Sequence, residues 1–216
     1  GADAAALFRG HAAAVSALPY RLNPALAAAA VKAGVQFCDL GGNTDRVLEA
    51  LELDARARRA GVTVVPDCGL APGLGNILAA IAVEETPRAR DVRIRCGGLP
   101  VPPKPPLGYC LLFDIAGLTN EYTGEAVVLR ESRIERVEAF TEHETFPGPR
   151  KLGALEAFVT SGGTSTAPWT FEGRLRTYEY KTVRYFGHFD KVRAMSDRCL
   201  LDLEPVEVGG RRVVPR

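Results

Sequence analysis

The sequence predicts an α/β fold: a partial Rossmann-like parallel sheet followed by a mixed α+β region. Three observations predict it. Short, almost wholly apolar runs at 15–19, 35–40 and 62–66 alternate with helical segments in the first third of the chain. Short connections between such elements mean parallel strands joined by right-handed crossovers, and strands without polar alternation are those covered on both faces. Beyond Gly73 the pattern shifts to apolar–polar alternation, the period of half-buried antiparallel strands. A domain boundary is therefore expected near Gly73, dividing residues 1–72 from 73–216.

Each element has a local reason. Val15–Pro19 is an apolar run that stops at a proline. Asn23 stands as an N-cap with Pro24 at the first helical position, and the alanine-rich "ALAAAAVKAG" follows, closed by Gly34. "VQFCDL" is the next strand. Asn43 or Thr44 caps one helix over 45–61, with Val47, Leu48, Leu51 and Ala55 as its apolar stripe and Gly61 at its end. "VTVVP" is the third strand. A helix over 74–85 ends at Thr86-Pro87. After it come "VRIRC", with Arg93 and Arg95 on one face, and "YCLLFDI", both read as strands. "AVVLRESRIERVEAF" is a hairpin turning near Glu131-Ser132-Arg133. "RTYEYKTVRYF" is a strand, "HFDKVRAM" a helix, and "VEVGGRRVVPR" a hairpin. The proline-rich "LPVPPKPPLGY" reads as a linker or an arm that covers a partner.

Composition bounds the function. The chain has 216 residues, a formal net charge of +1, and 46% hydrophobic against 25% charged residues, which is ordinary globular composition. That charge gives no electrostatic case for nucleic acid or an anionic membrane. The sequence has no apolar run of about 18 residues and no signal-peptide block near Arg9 and His11. Five cysteines without C-x-x-C spacing read as buried thiols of a reducing, cytoplasmic compartment, and three scattered histidines predict no metal site.

The chemistry is expected where the strands end. The first runs into Leu18-Pro19-Tyr20, the second into Asp39-Leu40-Gly41-Gly42, the third into Asp67-Cys68-Gly69-Leu70. In a parallel sheet these carboxyl ends share one edge, and that edge is where open α/β sheets bind ligands. Tyr20, Asp39 and Asp67 are the favoured groups for proton transfer. Lys181 lies in an alternating strand and reads as solvated, and His188 at a helix start reads as structural.

Two loops complete the set. "GLAPGLGN", Gly69 to Asn76, enters a helix but lacks the spacing and lysine of a phosphate loop, so it reads as a hinge lining the cleft. "TSGGTSTAPW", Thr160 to Trp169, is rich in hydroxyls and precedes a helix start at Pro168. It is assigned to substrate carboxylate binding through Thr160, Ser161, Gly162 and Thr164, with Asn76 beside it. No G-x-G-x-x-G fingerprint and no Ser-His-Asp ordering occur.

Together, "VSALPYRLNPALAAAAVKAGVQFCDLGG", "GVTVVPDCGLAPGLGN" and "VTSGGTSTAPWTFEG" resemble the saccharopine dehydrogenase-like oxidoreductases, most of all the L-lysine 6-dehydrogenase branch. The resemblance implies that residues 1–72 are the C-terminal half of a Rossmann-type NAD(P)-binding domain and 73–216 an α+β catalytic, substrate-binding and dimerisation domain. It implies oxidation of a C–N bond of lysine or a lysine-derived amino acid, with hydride passing to NAD or NADP. Saccharopine, a carboxylated polyamine, or a non-catalytic ligand-binding module are the alternatives. Ser16, Leu18, Pro19, Asp39, Gly41, Gly42, Gly69 and Leu70 would then flank the cofactor, Tyr20 and Asp67 the reacting centre. A homodimer or higher homo-oligomer is expected. Family members carry the glycine fingerprint before the segment seen here, so an interior fragment of a longer enzyme is the expectation. The acidic residue that separates NAD from NADP would lie upstream.

Overall fold

A computed structural model describes residues 4–149 and 152–215. Helix α1 (Ala4–Phe8) leads to strand β1 (Ala13–Ser16), and a 3-10 turn at Tyr20–Leu22 runs into α2 (Asn23–Ala33). Then come β2 (Gln36–Asp39), α3 (Thr44–Leu51), α4 (Asp54–Ala60) and β3 (Val64–Val65). The strands pair in parallel in the order β1-β2-β3, with Ala13 opposite Gln36 and Phe37 opposite Val64. The fold class read from the sequence is thus found. Pro24 sits in the first turn of α2, where its missing N–H costs nothing, and Gly34 closes the helix at φ 74°. Ala27 and Ala30 are fully buried against Phe37, which meets Phe8 edge-on at 6.2 Å.

Local readings change at three places in this half. The first strand lies at 13–16, earlier than the apolar run 15–19, because the chain turns at Leu18-Pro19. Asn23 is the first residue of α2 and not its cap; its side-chain oxygen accepts the Ser16 hydroxyl at 2.8 Å. The single helix expected over 45–61 is two, broken at Glu52-Leu53. The bend turns Ala50, Leu53 and Ala57 toward α2 and leaves Leu48 and Leu51 exposed. Asn43 does cap α3, accepting from the Arg46 amide at 3.1 Å. The cysteines are not buried: Cys68, Cys110 and Cys199 are exposed and Cys38 and Cys96 half-buried, since strand-end and loop positions turn their thiols outward.

After α5 (Leu74–Glu85) the chain forms β4 (Asp91–Cys96), α6 (Ile115–Glu121), β5 (Glu125–Arg130), β6 (Arg133–Glu138), β7 (Glu144–Pro147) and β8 (Ala154–Val159). It finishes with α7 (Ala167–Phe171), β9 (Thr177–Tyr185), α8 (His188–Ser196) and the hairpin β10 (Val206–Val208) and β11 (Arg211–Val213). The six-stranded sheet runs β6-β5-β9-β8-β7, and β4 joins β9 in parallel. Strand β9 is its spine. Residues 109–114 form no strand: Leu111, Leu112 and Phe113 are exposed with no alternation, and the chain enters α6 instead. Nor is the proline-rich segment a linker. Leu107 O accepts from His188, and Pro100 O accepts from the Tyr185 hydroxyl, so it is strapped to its own sheet.

The two largest apolar clusters on this sheet lie at opposite ends. Ala79, Val83, Leu129, Leu175 and Tyr178 pack beneath α5 and α7. Leu118, Tyr122, Phe140, Phe158 and Val192 pack at the other end, where Phe140 stacks on Phe189 at 4.3 Å. Gly163 lies against the sheet so closely that a Cβ there would stand 2.1 Å from the Tyr180 ring. Gly163→Ala is expected to destabilise the fold by roughly 1–3 kcal/mol through overpacking, read as a lowered thermal midpoint.

Candidate functional site

A cleft of about 710 Å³ opens between the carboxyl ends of the parallel sheet and the face of β9. One wall is made by the three strand-end turns: Leu18, Pro19 and Tyr20, then Leu40, Gly41 and Gly42, then Gly69 and Leu70. The leucines stand 55%, 46% and 62% exposed, an apolar platform contributed once by each strand. The opposite side carries the polar groups Tyr180, Thr182 and Arg184 of β9, Asp114 and Glu121 at the two ends of α6, and Thr160 and Ser161.

Alternation along β9 decides which side chains reach this space. Residues two apart share a face, so Tyr178, Tyr180, Thr182 and Arg184 point one way and Lys181 the other. Lys181 is accordingly not solvated: it is buried on the far face, donating to Glu142 O at 2.8 Å and pairing with Glu144 at 3.1 Å. Arg184 is 3% exposed; its Nη2 donates to Glu121 Oε2 at 3.0 Å and its guanidinium lies 4.6 Å over the Tyr109 ring. Its Nε–H is buried with no acceptor. A buried cationic donor left unpaired is costly, and this guanidinium lies on the wall of the cleft. Burial pushes the Glu121 carboxyl up, opposed by the Arg184 charge.

Asn120 joins the two walls. Its Oδ1 accepts from Asn43 Nδ2 at 3.0 Å and from the Tyr20 hydroxyl at 3.4 Å, while its Nδ2 donates to Gly42 O at 3.1 Å. Ser161 Oγ donates to Asn120 O at 2.6 Å. His188 holds α8 to the proline-rich strap. Its Nδ1 donates to Leu107 O, so its Nε2 accepts from the Tyr122 hydroxyl at 3.0 Å; burial lowers its pKa to about 4 and keeps it neutral.

Among the residues singled out in the sequence, Leu18, Pro19, Tyr20, Gly41, Gly42, Gly69, Leu70, Thr160 and Ser161 line the cleft together. Six do not. Ser16 is tied to Asn23. Asp39 and Asp67 sit behind the Gly41-Gly42 turn, where the Asp39 carboxylate accepts from the Gly41 amide at 2.7 Å and Asp67 from the Gly42 amide at 3.3 Å. Gly41 is fixed by this packing, since a Cβ on it would lie 1.8 Å from Asp67 Oδ1. Asn76 spends its amide on Thr164 O and the Tyr178 hydroxyl, Thr164 donates to Val127 O, and Gly162 packs on Gly42. The amides of residues 74–77 all donate to Gly69, Leu70 and Gly73 carbonyls, so the start of α5 offers none of them to an anion.

Arg184, Glu121, Asp114, Tyr109 and Asn120 escaped the sequence reading. Strict period-two counting along β9 would have grouped Arg184 with Tyr180 and Thr182. The other four lie in or beside a segment read as strand or loop, so the helix that carries Asp114, Asn120 and Glu121 was invisible, as was the loop that lays Tyr109 on Arg184.

The saccharopine dehydrogenase C-terminal domain family matches residues 69–211. The chain belongs to that family. Saccharopine dehydrogenase [NADP(+), L-glutamate-forming] of Saccharomyces cerevisiae is 27% identical over 207 residues, covering 90% of this chain and 45% of that protein. Mitochondrial alpha-aminoadipic semialdehyde synthase of Rattus norvegicus is 27% identical over 190 residues, covering 81% of this chain and 19% of its own length. The solved apo saccharopine dehydrogenase (L-Glu forming) from Saccharomyces cerevisiae superposes with a TM-score of 0.70 at 21% identity, covering 94% of this chain and 47% of the other, and shares the fold. The chain thus spans less than half the length of these relatives. No helix among the described residues is long and apolar enough to cross a membrane.

The buried Asp67 gives a pH test. Burial, reinforced by the nearby Asp39 charge, raises its pKa from 3.8 to about 6, against hydrogen bonding from Ser165 and Gly42. Folding therefore strengthens proton binding at Asp67. The stability it contributes is fully present below about pH 4 and lost as pH rises through about 6. Asp67→Asn keeps an acceptor for Gly42 without the charge. Its unfolding free energy is expected to gain on the parent as pH rises from 4 to 8, by at most about 3 kcal/mol, read in chemical denaturation at each pH. A gap independent of pH would show that Asp67 is ionised at no cost.

Proposed function

We propose that this chain forms the substrate cleft of an NAD(P)-dependent oxidoreductase that oxidises a C–N bond of a lysine-derived amino acid, saccharopine in the first place. The observation that carries the reading is the buried Arg184, one donor short of satisfied, facing three strand-end leucines across one cleft. The names of the relatives support the same chemistry, and their NADP(+) favours NADP. Residues 1–72 contribute the cofactor side and 73–216 the substrate side. Free L-lysine, as for an L-lysine 6-dehydrogenase, and a carboxylated polyamine are the alternative substrates.

The residues present fit the ring end of a dinucleotide. Leu18, Leu40 and Leu70 offer exposed apolar surface at the sheet edge that binds ligands in open α/β folds. When bound, the nicotinamide supplies the hydride acceptor. Everything else falls to the protein. Arg184 takes a substrate carboxylate through its unpaired N–H, a charge-assisted bond strengthened by burial. Glu121, whose proton affinity burial has raised, holds the proton released from the substrate nitrogen. Tyr20, oriented by Asn120, faces the same space from the opposite wall.

The test is NADPH formation, followed by absorbance, on the full-length gene product with saccharopine, L-lysine and diamines. Turnover of saccharopine is expected, and Arg184→Lys should raise its KM tenfold or more, since a point charge cannot replace the planar guanidinium, by about 1.4 kcal/mol per decade. A folded protein that binds NADP yet turns over no compound of the panel would overturn the assignment.

A further inference from the structure

We propose that Asp114 is a specificity-determining residue that receives a primary ammonium group five carbons away from the reacting nitrogen. This rests on reading the cleft as the site of a lysine-derived substrate.

Asp114 occupies the N-cap position of α6, where aspartate ordinarily accepts a backbone N–H from the first turn. Here it makes no capping bond. Its Oδ2 is buried with no hydrogen-bond partner, while the side chain as a whole keeps 35% of its surface open and lines the cleft. The cation that approaches it is Arg21, whose Nη1 stands 3.9 Å away on a side chain 62% exposed, so solvent screens most of that attraction. A carboxylate that neither caps its helix nor finds a close counter-ion remains available to a ligand cation.

Spacing identifies the cation. Asp114, Gly117 and Glu121 are three and four residues apart, hence on one helical face, and all three line the cleft. Seven residues of helix separate the two carboxylates by about 10 Å. Arg184 and Glu121 hold the carboxylate and nitrogen at the reacting end. Arg184, a guanidinium only 4% exposed on the cleft wall, gives that end its positive charge. An extended five-carbon chain from a nitrogen hydrogen-bonded to Glu121, with a hydrogen bond at its far end, spans to Asp114. The Phe113 ring covers Gly117 between them, 3.1 Å from where a Cβ there would stand, and makes that stretch of wall apolar. A lysine skeleton has this form: one nitrogen at its end, the α-ammonium five carbons on.

The decisive comparison is between saccharopine and N-(5-carboxypentyl)-L-glutamate, which keeps the secondary amine and every carboxylate but lacks the ammonium. Calorimetric affinities and steady-state kinetics would be measured on the full-length protein, as wild type and Asp114→Asn, with thermal midpoints to confirm folding. Wild type should favour saccharopine by about tenfold or more in Kd and KM, the worth of a hydrogen bond to a charged group. Asp114→Asn should abolish that preference while its affinity for the analogue and its kcat stay within about twofold, a split that a merely structural aspartate would not give. A preference unchanged in Asp114→Asn, or absent from wild type, overturns the inference while the proposed reaction stands. If wild type binds neither compound, the saccharopine reading fails. L-lysine against 6-aminohexanoate then puts the same question to Asp114, and no preference within that pair overturns the inference as well.

Discussion

The amide of Asn120 holds the cleft together. With one oxygen and one nitrogen it reaches the turn after β1 through Tyr20 and the turn after β2 through Gly42 and Asn43. Its own carbonyl accepts from Ser161. These turns belong to the parallel sheet, whereas Asn120 sits on α6 over the six-stranded sheet, so one side chain ties apolar platform to polar floor, beside the packing of Gly162 on Gly42. Each bond is worth only about 1 kcal/mol net. Their importance is geometric, because Glu121 follows Asn120 directly and is carried with it.

That arrangement explains how a charged pair survives inside the protein. Desolvating an arginine and a glutamate costs several kcal/mol for each, which their mutual attraction offsets only when other partners complete the shell. Arg184 has Glu121, the Val183 carbonyl and the Tyr109 ring, and it still lacks one acceptor. Stability alone would favour a pair of apolar residues of similar volume. Retaining an incompletely satisfied guanidinium beside open space fits a group held ready for an anion.

Much of this was legible in the residues, and the gaps have physical causes. Parallel strands declared themselves through short apolar runs alternating with helices, although the expected cover on both faces is not found: Val15 and Val65 stand 67% and 45% exposed. Gly34 and Gly61 marked helix ends through left-handed backbone, φ 74° and 65°. The hairpin at Glu131-Ser132 and the helices at 74–85 and from His188 also lie where local pattern put them. The strand-end edge was found because topology alone brings those turns together. Local pattern failed wherever distant partners decide. The break at Glu52-Leu53 is set by packing on α2, and α6 replaces the expected strand because Leu118 and Tyr122 are needed in the aromatic cluster. Asp67 illustrates the limit. Its place after β3 was correctly read, yet only the tertiary contact with Gly41 puts its carboxyl behind the turn instead of in the cleft.

The two walls of the cleft differ in how freely they can diverge over evolutionary time. The platform turns are crowded main chain, where Gly41 admits no substituent at all. The opposite wall takes much of its chemistry from α6, a single seven-residue helix, and the aspartate preceding it. A gene family built on this scaffold can therefore keep its strand-end edge frozen while exchanging the charges along one short helix. New ligands would then be acquired by a few substitutions there, without rebuilding either sheet.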